Sequence, residues 1–137
     1  MGMKSTDLKL TLYRGWPDRG TYAGSPFATK VEFRLRHAKL PYNVDAGSAR
    51  AAPKGKIPYA DLSALLPDDG SEIPSLMGDS TLILRRLLSM GKIADLNHDL
   101  TEEQRLDDLA IRALLEDKLY FYNVSGGFGN EVPQAQR

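Results

Sequence analysis

Leu8, Leu10 and Leu12 alternate with Lys9, Thr11 and Tyr13 near the start of the chain. A period of two predicts a strand with one face buried. The segment RGWPDRGTYAGS that follows carries the Gly, Pro and Asp of a loop and ends at Ser25-Pro26, with Ser placed to cap a helix and Pro at its first position. Phe27, Val31, Leu35 and Ala38 then recur at three- and four-residue steps, while Lys30, Glu32, Arg34 and Arg36 fall between them. This predicts an amphipathic helix to about Lys39, stopped by Pro41.

Tyr42, Asn43 and Val44 form a short second strand, and Asp45 to Gly55 is rich enough in Ala, Gly and Pro to suit an irregular turn or a single helical turn. Ile57 to Leu62, with its Pro near the start where a strand tolerates one, reads as a third strand. LPDDGSE is a hairpin connection, and Ile73 to Met77 is the returning strand. Gly78-Asp79-Ser80 breaks the pattern and caps a second helix, whose Leu82, Ile83, Leu87 and Leu88 make an apolar side as far as Met90. The crossover between the first two strands makes them parallel and the hairpin adds an antiparallel pair. The expected fold is therefore α/β, a thioredoxin-like mixed four-stranded sheet with flanking helices, over residues 8–90. A linker over 91–100 leads to Thr101 and Gln104, a capping-box pair that starts a long helix to Tyr122. The tail, 123–137, has no period and is expected to be disordered.

Composition removes several function classes. Lys plus Arg and Asp plus Glu number 18 each, so no net field draws the chain to nucleic acid or an anionic surface. The chain has no Cys, which excludes disulfides, thiolate metal sites and any protein-thiol redox step. No basic-then-apolar leader opens it and no apolar stretch nears the roughly 20 residues that span a bilayer, so a soluble, cytoplasmic protein is expected. His37 and His98 lie far apart with no second ligand at metal-binding spacing, so neither a metal site nor a Ser-His-acid triad is expected.

Three motifs occur in a telling order: SPFATK opening the first helix, PKGKIPY opening the third strand, and GDSTLI opening the second helix. Together they resemble glutathione transferase N-terminal domains, in particular the branch that includes the failed-axon-connections and metaxin-like proteins and similar fungal sequences. The helix from Thr101 resembles the first helix of that family's all-helical second domain, so the resemblance implies a chain truncated in its C-terminal domain.

The resemblance implies a glutathione S-transferase-like protein that takes glutathione as co-substrate and transfers it to a small hydrophobic electrophile. Ser25 stands in place of the thioredoxin-type Cys-x-x-Cys, where a hydroxyl at a helix start could stabilise the bound thiolate. Tyr13 lies near the position where several classes place a thiol-activating tyrosine. Pro58 matches the family's cis-proline, with Ile57 offering main-chain hydrogen bonds to the peptide and Lys56 within reach of a ligand carboxylate. Asp79 and Ser80 match the acidic-Ser pair that receives the γ-glutamyl group. Local chemistry offers alternatives: Ser25, Asp79 and Ser80 as helix caps, Tyr13 as a half-exposed strand aromatic, Trp16 as loop packing, and Lys56 and Arg85-Arg86 as solvated cations. The alternative function is a non-catalytic, metaxin-like adaptor for protein interaction at an organelle surface. Self-association or a homodimer is expected from the apolar residues of the last helix.

Overall fold

The computed structural model describes residues 9–66 and 74–122, and the chain divides into two compact units between Ala94 and Asp95. In the first unit, β1 (Leu10–Tyr13), α1 (Pro26–His37), β2 (Tyr42–Asp45), β3 (Tyr59–Asp61), β4 (Leu76–Gly78) and α2 (Ser80–Ser89) follow in order. The sheet runs β2-β1-β3-β4. β1 and β2 are parallel with Leu10 opposite Tyr42, while β3 is antiparallel to both β1 and β4. This is the mixed, thioredoxin-like arrangement that the alternation of strands and helices predicts.

The period of two in β1 appears as alternating burial. Leu10 and Leu12 are fully buried and share one core with Val31 and Leu35 of α1 and Ile83 and Leu87 of α2. Ile93 joins that core, which carries the first unit past Met90 to Ala94.

α1 starts where Ser25 and Pro26 predict, but it ends at His37 rather than Lys39. Lys39 takes a left-handed φ of 53°, Lys39 N–H donates to Arg36 C=O at 3.0 Å and Leu40 N–H to Leu35 C=O at 3.0 Å. That pair of bonds is a Schellman closure, usually built on Gly, which is why Lys39 gives no sequence signal for it. α2 closes the same way on Gly91, at φ 66°, with Lys92 N–H donating to Leu87 C=O at 2.9 Å.

Strand boundaries differ more. β3 begins at Tyr59, because Ile57 and Pro58 stand outside the ladder, and after Asp61 the chain turns into a 3-10 turn at Ser63–Leu65. Gly78 does not break the pattern; it ends β4 and pairs with Tyr59. Leu8, Ile73, most of the LPDDGSE connection and the tail lie outside the described residues, although the antiparallel β3–β4 pair is the one a hairpin would join.

The segment after β2 forms turns. Gly47 there has φ 63°, and a Cβ on it would stand 2.6 Å from the Tyr59 hydroxyl and 2.7 Å from Tyr13 Cβ. Both the backbone and the space demand Gly.

In the second unit, Thr101 Oγ1 accepts from Gln104 N–H at 3.3 Å and Gln104 Oε1 accepts from Thr101 N–H at 2.9 Å. This is the expected capping box, and α3 (Glu102–Ala113) follows it. The helix then widens into a π-helical turn at Leu114–Leu119 before continuing to Tyr122, where an unbroken α-helix is expected from the spacing. Leu106, Leu109, Leu114 and Leu115 are all exposed.

Gly47→Ala should destabilise the protein by about 2–4 kcal/mol, from the left-handed backbone and the overpacking of two tyrosines together. Chemical denaturation followed by tyrosine fluorescence measures it, and a loss below 1 kcal/mol would mean that the turn shifts freely.

Candidate functional site

Strand register brings three of the expected positions to one end of the sheet. Tyr59, the first residue of β3, pairs with Gly78, the last of β4. Ile57-Pro58, just before β3, and Asp79-Ser80, just after β4, therefore leave adjacent strands at the same edge. Tyr13, the last residue of β1, also pairs with Tyr59, so the loop toward Ser25 starts there too. The Ile57–Pro58 bond is cis, Pro58 is buried, and a Cβ on Gly15 would stand 3.6 Å from Ile57 Cγ2. Among the described residues neither the N–H nor the C=O of Ile57 has a hydrogen-bond partner.

At the start of α1, Ser25 Oγ accepts from Ala28 N–H at 3.3 Å. Capping uses its lone pairs and leaves the hydroxyl proton to be donated elsewhere, so the cap and a thiolate donor are compatible roles. At the start of α2 the cap is Asp79, whose Oδ1 accepts from Thr81 N–H at 2.8 Å and Leu82 N–H at 3.3 Å. Ser80 is the first helical residue; it does not cap α2, is 5% exposed, and its hydroxyl makes no hydrogen bond among the described residues. Asp79 holds a φ of 76°, a region that non-Gly residues occupy at a cost. The two helix starts are neighbours, since Lys30 Nζ of α1 donates to Thr81 Oγ1 of α2 at 3.1 Å. Neither helix has an acid in its first turn, so beyond the Asp79 cap nothing there offsets the positive ends of their dipoles. Lys56 is exposed.

Tyr13 is the last residue of β1. It sits on the face of β1 opposite Leu12, and its ring stacks on Tyr59 with centroids 4.4 Å apart and planes at 11°. Burial first, then the negative charges of Asp61 and Asp45 and the neighbouring Tyr59, hold its phenol above the ordinary tyrosine range. The Tyr59 hydroxyl accepts from Ser48 N–H at 3.2 Å. Tyr13 is thus a half-buried strand residue with an aromatic stacking partner. Trp16 is half exposed, and so less packed than a loop anchor.

Sequence reasoning misses Arg14 and Glu32. Arg14 is 1% exposed; its Nη1 donates to Glu32 Oε2 at 3.2 Å and to Thr21 C=O at 2.8 Å, and its Nη2 to Asp18 C=O. Glu32, expected on the polar side of α1, is buried. Its Oε1 accepts from the Tyr42 hydroxyl at 3.1 Å, which accepts in turn from Arg36 Nε at 3.0 Å. Arg36 Nη2 also donates to Arg19 C=O at 3.3 Å. A signal exists: counted from Ala28 instead of Phe27, the apolar stripe runs Ala28, Val31, Leu35, and Glu32 occupies its i+4 slot.

His98 Nε2 meets Asp99 Oδ2 at 3.0 Å in an exposed pair. Among the described residues no group of three metal-capable side chains assembles, and no helix is long and apolar enough to cross a membrane. A hollow of about 360 Å³ on the second unit, lined by Asp117, Lys118, Phe121 and Tyr122, shares no residue with the sheet edge.

Asp79→Ala should cost about 1 kcal/mol of stability through the lost cap, whereas Ser80→Ala, which removes no cap, should cost distinctly less; equal losses in urea melts would return the cap to Ser80. Burial keeps the Tyr13 phenol neutral in the folded state, so its contribution is complete below the ordinary tyrosine value and is lost as pH rises through the higher folded value. Above about pH 10 the wild type should therefore lose stability faster than Tyr13→Phe. Parallel pH curves for the two would show that Tyr13 titrates as a solvent-exposed phenol.

The family model described as the glutathione S-transferase N-terminal domain matches residues 26–126, a stretch that includes Ile57-Pro58 and Asp79-Ser80 and begins directly after Ser25. Neither the curated proteins nor the solved structures yield a match. With a family match over most of its length and the mixed sheet described above, the chain belongs to the glutathione S-transferase N-terminal domain family.

Proposed function

We propose that the chain binds glutathione at the sheet edge formed by Ser25, Ile57-Pro58 and Asp79-Ser80, and presents its thiolate to a small hydrophobic electrophile. The observation that carries this reading is the convergence of two helix starts and an unpaired main-chain N–H and C=O in a chain of this family. The Ile57 N–H and C=O pair with the cysteinyl main chain of glutathione. The γ-glutamyl carboxylate accepts from the Ser80 hydroxyl and from main-chain N–H at the start of α2, and the Asp79 carboxylate faces the ammonium group. Lys56 reaches the glycyl carboxylate.

Ser25 donates its hydroxyl proton as a hydrogen bond to the sulfur, which favours the thiolate over the thiol. The thiolate forms an S–C bond with the electrophilic carbon, and the leaving group departs with its electron pair. No protein thiol takes part, because the chain has none. Transferase chemistry on a water-borne peptide fits a cytoplasmic setting. The failed-axon-connections and metaxin-like branch is the part of the family that the SPFATK and PKGKIPY motifs suggest. The exposed Leu106, Leu109, Leu114 and Leu115 favour self-association through the second unit.

A glutathione titration followed by amide chemical shifts should move Ser25, Ile57 and Ser80 together, and Ser80→Ala should weaken binding by about 1–3 kcal/mol. Shifts at scattered surface amides, or unchanged affinity in Ser80→Ala, would defeat the reading and turn attention to an adaptor role of the metaxin-like kind.

A further inference from the structure

The hydroxyl assigned to the ligand sulfur lies between two segments that one buried arginine ties together. Ser25 stands between the loop 15–24 and α1, and one nitrogen secures the chain on both sides of it. Arg14 Nη1 donates to Thr21 C=O before Ser25 and to Glu32 on the second turn of the helix after it, while Nη2 holds Asp18 C=O further back. Arg36 also holds the Arg19 C=O, and Arg19 lies over the Tyr42 ring, but both contacts fall before Thr21, and the loop's large side chains Trp16 and Tyr22 are 50% and 72% exposed.

Stability is a poor reason for this arrangement. A buried ion pair gains little over apolar side chains of similar volume once desolvation is counted, and Arg14 Nε is buried with no partner among the described residues, which adds to the cost. What an apolar residue or a lysine could not do is hold one carboxylate and two loop carbonyls at fixed angles, a task suited to the planar guanidinium.

We propose that Arg14 is a positioning residue for the thiolate subsite: through Thr21 and Glu32 it fixes the direction of the Ser25 hydroxyl and leaves the peptide-binding ends at Ile57 and Ser80 alone. The proposal rests on the glutathione reading above. Its effect should therefore fall on the sulfur and not on the peptide.

The test compares glutathione with S-methylglutathione, which keeps the peptide but has no ionisable thiol, in the wild type, Arg14→Lys, Ser25→Ala and the double variant, by calorimetry across pH. A hydrogen bond to the thiolate lowers the bound thiol's pKa. The affinity gain is then complete above the free thiol's pKa and lost as pH falls through the bound value. In Arg14→Lys this rise with pH should flatten, and glutathione should bind about tenfold more weakly at alkaline pH, the size of one hydrogen bond to a charged group. S-methylglutathione should change by less than about twofold, and Arg14→Lys should add nothing on the Ser25→Ala background, as coupled residues require. Equal losses for both ligands, or additive effects of the two substitutions, would overturn the proposal and make Arg14 a structural residue only. Should Arg14→Lys fail to fold, Glu32→Gln, which keeps an acceptor but removes the charge, reads the same selectivity with the same two outcomes. A wild type that binds neither ligand would remove the glutathione reading itself, whereas binding of both without selective loss would remove only the role of Arg14.

Discussion

The buried contact between Arg14 and Glu32 is the constraint that ties the end of β1, the loop after it and α1 together. Arg14 follows the last residue of β1 with its side chain fully buried, and Glu32 lies on the stripe of α1 that faces the core. Removing either charge from water is costly, so each needs the other and the surrounding dipoles. The two oxygens of Glu32 are divided between Arg14 and Tyr42. The loop carbonyls of Asp18, Arg19 and Thr21 are drawn in by Arg14 and Arg36. Strand, loop and helix are thus joined by polar contacts at the place where the apolar core has run out.

The rest of the edge follows from strand register. Antiparallel pairing of β3 with β4 sets the start of one strand beside the end of the other, so the chain enters the sheet there after Pro58 and leaves it there through Asp79 into α2. The core beneath, from Leu10 and Leu12 to Ile83 and Leu87, sets how α1 and α2 lie on the sheet. The contact between Lys30 and Thr81 shows their starts side by side. Apolar packing sets the frame, and polar groups occupy its rim.

Much of this was legible from residue pattern. The period of two in Leu10 and Leu12, the Ser25-Pro26 start and the Thr101–Gln104 box are local signals, and each element begins where its signal stands. What escaped depends on tertiary context. Lys39 takes a backbone conformation that its side chain does not favour, because the bonds of the helix closure offset that cost. The ends of β3 are set by the ladder, which Ile57 and Pro58 do not join. Glu32 reads as polar surface unless the stripe is counted from Ala28, and only the fold supplies the arginine that makes its burial tolerable. Tyr13 was assigned to the correct face of its strand, yet nothing local could reveal Tyr59 as its stacking partner.

Position 79 also bears on which side chains this fold could have used there. A φ of 76° with ψ 123° is a backbone that only Gly adopts without strain, whereas accepting two amide hydrogens at a helix start calls for a short side chain with an oxygen. Asn and Asp meet the second demand and bear the cost of the first. Between those two, backbone shape and capping are indifferent, so what sets position 79 apart is that the chain places an acid where geometry would have accepted an amide.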